Sequence, residues 1–141
     1  MKEYFNIKEV VCPHVLDRFG EEAWRFIDPR LQEVMLYLRR KFDVPVIIND
    51  YEAGLTQRGL RCNLCSLVKA KSDVGLVYLS AHVLGKAFDF DVQGMSAAGA
   101  RSCIFDYDKE LPYPVRLEVG VEWVHLDMMN ESKYPVQYFV G

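Results

Sequence analysis

The sequence predicts an α+β fold in which an antiparallel sheet carries helices packed mainly on one side, with residues 1–141 forming a single domain. Three observations lead there. Helical periodicity sits mostly early in the chain and β-branched or aromatic runs mostly late, a segregation typical of α+β rather than of alternating parallel units. No repeat or Gly/Ser/Pro-rich linker divides the chain. A chain of this length buries roughly two-thirds of its unfolded surface, enough for a core without staples.

Each element has a local cause. A short helix is expected over Val15–Phe26, broken near Gly20. The clearest helix runs from Pro29 to Phe42. Asp28 can cap it, Pro29 suits its first position, and Arg39, Arg40 and Lys41 favour its negative C-terminal end. Leu31, Val34, Met35, Leu38 and Phe42 form one apolar stripe at helical spacing, which is core. Val46–Asn49 reads as a short buried strand. Residues 50–73 read as a loop, with Arg58, Arg61, Lys69 and Lys71 in its middle and Asp50, Glu52 and Asp73 at its ends. Further strands are predicted at Leu76–Leu79, Ala87–Val92, Arg116–Val119, Trp123–Met128 and Val136–Val140. Ser96 can cap a helix reaching about Phe105.

Composition narrows the function. Half the residues are hydrophobic and the net charge is -3, which excludes a disordered chain. No apolar run approaches the ~20 residues of a membrane span. The mild acidity offers no reason to expect nucleic acid or anionic lipid as a partner. Glu3, Lys8 and Glu9 interrupt the N-terminal segment, so no secretory signal is read there and synthesis in a cytoplasm is expected. Cys12, Cys62, Cys65 and Cys103 are read as reduced, structural cysteines; the alternatives for the CxxC pair are a four-cysteine zinc site and a disulfide. His14 is read as an ordinary histidine near a helix start rather than a metal ligand.

Two of the three histidines lie in informative surroundings: Ser80-Ala81-His82-Val83-Leu84-Gly85-Lys86-Ala87-Phe88-Asp89, and Glu122-Trp123-Val124-His125-Leu126-Asp127. His82 and Asp89 are an odd number apart, so they converge only if the chain bends between them, and Gly85 is the residue best able to bend it. Beyond that bend Ala87, Asp89 and Asp91 share one strand face, and Phe88, Phe90 and Val92 the other. A charged Asp89 flanked by buried phenylalanines is costly unless paired. A dication held by His82, Asp89 and His125 removes that cost, and two imidazoles plus one carboxylate with an open fourth position is the donor set of catalytic zinc. Two ordinary buried histidines and an ion-paired aspartate are the alternative.

The pattern Ser80-x-His82-x-x-Gly85-x-Ala87-x-Asp89, followed by Glu122-x-x-His125, resembles the zinc D-Ala-D-Ala carboxypeptidase superfamily. This group includes vancomycin-resistance dipeptidases and peptidoglycan-cleaving phage endolysins, and shares its fold with the Hedgehog signalling domain. The likeness covers roughly residues 45–130. It extends to Arg58, five residues before Asn63, where many members carry an Arg and an Asn.

The resemblance implies a Hedgehog/DD-peptidase-like fold, Zn2+ as cofactor, and His82, Asp89 and His125 as its ligands. It assigns general-base work on a metal-activated water to Glu122, and polarisation of the scissile carbonyl to Arg58. The substrate implied is a peptidoglycan stem or cross-bridge peptide, with a monomeric phage or prophage endolysin as the setting that best suits a chain without a signal, acting on the wall after release. A non-catalytic, zinc-stabilised binding module or a phage structural module of the same fold is the alternative.

Around these residues, Glu118 is a rival base. Asp127 shares the strand face of His125 and is a candidate partner for it. Ser80 is read as fixing its loop, and Trp123 as pocket wall or substrate contact. The loop around Arg58 and Arg61 is read as a receptor for an acidic peptide stem, or as plain solvated surface. Glu122 and His125, three apart, face opposite sides of a regular strand, so Glu122 must precede the strand or sit on a bulge.

Overall fold

The computed structural model describes residues 1–141. Its helices are α1 (Pro13–Phe19), α2 (Pro29–Phe42), α3 (Ser66–Ser72) and α4 (Ala97–Asp106); its strands are β1 (Val46–Ile47), β2 (Ala87–Val92), β3 (Val115–Glu118), β4 (Val124–Asp127) and β5 (Val136–Phe139). No helix is long and apolar enough to cross a membrane.

Local chemistry accounts for the helices. The Asp28 carboxylate accepts the Arg30 amide at the start of α2, and all five residues of the apolar stripe are buried. Ser96 accepts the Gly99 amide at the start of α4. The Val15–Phe26 helix divides at Gly20 into α1 and a 3-10 segment, Gly20–Phe26. Helix α3 lies in the stretch read as loop. Only Val68 of its seven residues is buried, so it has no stripe for periodicity to reveal.

The sheet runs β1-β2-β4-β3-β5 and is mixed, which corrects the antiparallel expectation. Strands β1, β2, β4 and β3 pair antiparallel, whereas β5 pairs parallel with β3. The cause lies in the connection after β4. Instead of turning back as a hairpin, it passes the start of β3 to reach the edge. There the Asn130 amide donates to the carbonyls of Val115 and Tyr134, and the Val115 amide donates to Pro135. The strand expected at Leu76–Leu79 is absent. Val77 there is 90% exposed, and no neighbouring strand takes up its backbone.

The two faces of the sheet divide the labour. Phe88, Phe90, Leu117, Val124 and Leu126 join α2 residues Leu31, Met35 and Leu38 and α4 residues Ala100 and Ile104 in one continuous core. The opposite face presents Asp89 on β2, Arg116 and Glu118 on β3, and His125 and Asp127 on β4 to a cleft. The bend leading into β2 is at Gly85, with φ +68°, and a Cβ there would lie 2.0 Å from the Phe26 carbonyl oxygen. Both backbone conformation and space therefore demand glycine. That bend turns His82 back over β2.

Candidate metal centre

Strand pairing places Asp89 directly opposite His125, so a carboxylate and an imidazole on adjacent strands meet on the same face. The turn before β2 then brings His82 above them. His82 Nε2 lies 3.3 Å from His125 Nδ1 and 3.2 Å from Asp89 Oδ2, and His125 Nδ1 lies 2.8 Å from Asp89 Oδ1. All three residues are buried. Ligands about 2.05 Å from a tetrahedral metal stand roughly 3.3 Å apart, so the spacing suits one small dication.

The outer ring nitrogens settle which atoms face inward. His82 Nδ1–H donates to the Gly59 carbonyl at 2.9 Å, and His125 Nε2–H donates to Asp127 Oδ2 at 3.0 Å. His82 Nε2 and His125 Nδ1 are left with lone pairs aimed at each other and at a carboxylate. These two lone pairs and the carboxylate converge in a buried space, where a proton or a metal ion can bridge them.

The proton form has a definite electrostatic signature. Burial opposes charge on Asp89, but its contacts with the His125 and His82 rings more than offset it and hold its carboxyl far below the usual carboxylate range. Burial likewise opposes a proton on His125, yet its bonds to Asp127 and Asp89 prevail and push its pKa up to about 9 from 6.5. A raised folded-state pKa stabilises the fold fully below the unfolded value and loses that contribution as pH climbs. In metal-free protein the His125 contribution is therefore complete below about 6.5 and gone above about 9. The Asp89 contribution runs the other way, present above 3.8 and lost in acid. A 15N NMR titration of the metal-free histidine rings should find His125 charged up to about pH 9; a midpoint at the ordinary imidazole value would contradict this picture. Metal must displace that proton, so affinity for a dication should rise with pH over the same interval.

Around the trio, Asp127 is fully buried. Arg116 donates to it twice, from Nε at 3.1 Å and Nη2 at 2.8 Å, and the Met129 amide donates at 2.9 Å. It is thus a fixed buttress behind His125. Ser80 Oγ accepts the Val83 amide at 3.4 Å within the His82 turn. Trp123, 37% exposed, lines the cleft, and the Phe139 ring stands edge-on to His125. The cleft has a volume of about 390 Å3.

Two expected residues stand elsewhere. Arg58 does not line this cleft; its guanidinium is paired with Asp91, and it borders an adjoining cavity that shares Arg61, Asp89 and Trp123. The arginine at the trio is Arg61, whose Nη2 donates to Asp89 Oδ2 at 2.8 Å. Arg58 and Arg61 lie three residues apart in one basic loop, and the sequence holds nothing to say which of them turns inward. Glu122 precedes β4 in an exposed bend and is not part of the cleft wall. Glu118 is part of that wall, with its carboxylate against Gly141.

A second group able to hold a metal was missed as a unit. Cys12, His14, Cys62 and Cys65 gather at a separate place, while Cys103 lies apart in α4. His14, set aside in the sequence, stands with three sulfurs because Cys12 pairs its backbone with Leu60, next to the CxxC turn. Comparison of the chain with protein-family models, with curated proteins and with solved structures finds no match.

Proposed function

We propose that the chain is a zinc-dependent peptidase with a Hedgehog/DD-peptidase-like fold that hydrolyses peptidoglycan stem or cross-bridge peptides, as a phage or prophage endolysin does. The observation that carries the reading is the buried His82–Asp89–His125 trio, with both outer ring nitrogens already spent and one side open to a cleft. A structural site is normally closed by four protein ligands, whereas a catalytic one keeps a position free. The motif resemblance supplies the substrate class.

Zinc in this site would supply Lewis acidity and make water a competent nucleophile near neutral pH. The chain's own residues do the rest. Glu122, at the bend before β4, takes a proton from the attacking water and returns it to the leaving amine. Arg61, half of whose partnership is with a ligand carboxylate, is placed to hold an anionic group of the stem peptide or the developing oxyanion at the cleft. Arg58, engaged with Asp91, keeps the loop under Arg61 in place. Trp123 and Phe139 form apolar walls against the peptide.

Zinc-loaded protein should release peptides from purified cell walls, detected by mass spectrometry, and the products from defined muropeptides identify the bond. His82→Ala should abolish release. A wild-type protein that binds zinc in the trio yet releases nothing from any muropeptide would instead be a zinc-stabilised binding module.

A further inference from the structure

The cluster of Cys12, His14, Cys62 and Cys65 has no part in the cleft chemistry. Cys12 immediately precedes α1 and His14 lies in its first turn; Cys62 and Cys65 form the turn leading into α3. Their three sulfurs and one ring nitrogen all lie within 4.8 Å of one another. Cys62 Sγ is 4.0 Å from Cys65 Sγ, and Cys65 Sγ is 3.9 Å from His14 Nδ1. Two sulfurs bound to one tetrahedral zinc at ~2.3 Å stand about 3.8 Å apart. These two separations are close to those of a filled tetrahedron, and no disulfide uses any of these thiols.

Burial pushes the Cys12 and Cys65 thiols up when no cation is near, but two backbone amides are aimed at sulfurs of the cluster. The Leu64 amide points at Cys62 Sγ at 3.4 Å, and the Cys62 amide at Cys65 Sγ at 3.3 Å. Cys12 and Cys65 are almost wholly buried, whereas His14 lies at the surface. Three soft sulfurs and an imidazole select zinc over hard cations. Four protein donors leave no position for substrate or water, unlike the trio in the cleft.

We infer that Cys12, His14, Cys62 and Cys65 form a structural zinc site that ties the N-terminal segment to the loop carrying Arg58 and Arg61. The backbone between the two ligand pairs is already stitched: the Cys12 amide donates to the Leu60 carbonyl and the Leu60 amide to the Val10 carbonyl, both at 2.9 Å. Gly59 packs so closely on Val10 that a Cβ would lie 2.1 Å from its carbonyl oxygen. The Gly59 carbonyl is the group that orients His82, and Arg61 directly precedes Cys62. The closed site therefore braces the wall of the open one, and its existence does not depend on the peptidase reading.

The test uses the full chain isolated under reducing, metal-replete conditions. With one ion at each of the two clusters, wild type should hold two zinc equivalents. A mercurial thiol reagent should release one of them, since the cleft trio contains no sulfur. Cobalt(II) bound to His82→Ala/His125→Ala protein should show sulfur-to-metal charge transfer and the strong visible absorption of a tetrahedral site; adding Cys62→Ser should weaken the charge transfer, and replacing Cys12, Cys62 and Cys65 together by serine should abolish it. Absence of sulfur-to-cobalt charge transfer in wild type, zinc release indifferent to the mercurial, or a peptide map showing Cys62 joined to Cys65 as a disulfide would each overturn the assignment. The wild-type measurements stand even where a variant fails to fold.

Discussion

Zinc-loaded Glu122→Gln protein is expected to cleave wall peptides roughly 10²–10⁴-fold more slowly than wild type while binding the same amount of metal. The glutamine keeps the size of the side chain and removes its basicity, so the loss reports proton transfer rather than packing. Glu122 is exposed and carries no fold-stabilising contact, so the variant should melt with wild type. Glu118→Gln is the necessary companion. That residue lines the cleft, yet its carboxylate lies against Gly141, and its replacement should leave the rate within a factor of a few. The reverse pattern would move the base to Glu118, and equal rates in all three proteins would remove a carboxylate base from the mechanism altogether. Catalytic hydrogen bonds often tighten only once substrate is bound, so kinetics rather than distance decides between the two.

The second large effect belongs to Asp127. Its side chain is fully buried and joins Arg116, the Met129 amide and His125 Nε2–H in one network. Asp127→Ala leaves the Arg116 guanidinium without its carboxylate and His125 free to change tautomer. Breaking a buried ion pair costs about 3–5 kcal/mol. Because the Arg116 side chain keeps 29% exposure, the low end, about 3 kcal/mol, is the expected loss in chemical denaturation. Asp127→Asn keeps one acceptor oxygen, which can serve both Arg116 Nε and the Met129 amide, so it should fold with a smaller loss than Asp127→Ala. It still removes the charge that makes His125 a good ligand, and should weaken zinc binding by about 10–100-fold. Wild-type zinc affinity in the Asn variant would show that Asp127 serves the fold alone.

These effects rest on a division within the sheet that was readable in part from the chain. The alternation of β2, with Phe88, Phe90 and Val92 on one side and Ala87, Asp89 and Asp91 on the other, follows from the period of a strand. So does the pairing of His125 with Asp127 on one face of β4. Gly85 as the bend was likewise legible, because no other residue between His82 and Asp89 tolerates a left-handed backbone.

Other features were decided only by contacts between distant segments. The parallel pairing of β5 follows from a connection anchored by Asn130 to Val115, fifteen residues earlier in the chain, and strand content alone says nothing of direction. The apolar run 76–79 found no partner strand, and Leu76, Val77 and Leu79 stayed exposed. Helix α3 buries too little to announce itself. Which arginine faces the His82–Asp89–His125 trio was settled by two acids on β2, Asp91 drawing Arg58 aside and Asp89 receiving Arg61.

By itself, the sequence determined most of the elements (α3 and the unpaired run 76–79 excepted), the polar and apolar faces of the strands, and the residue types capable of holding a metal, because each of these follows from periodicity and side-chain chemistry within a few residues. Only the tertiary structure decided the partnerships: His82 with Gly59, Asp89 with His125, and Cys12 and His14 with Cys62 and Cys65. The last pairing bridges some fifty residues, and its cause is backbone hydrogen bonding between Val10, Cys12 and Leu60. Such bonds use groups that every residue carries, so they leave no mark in the order of side chains.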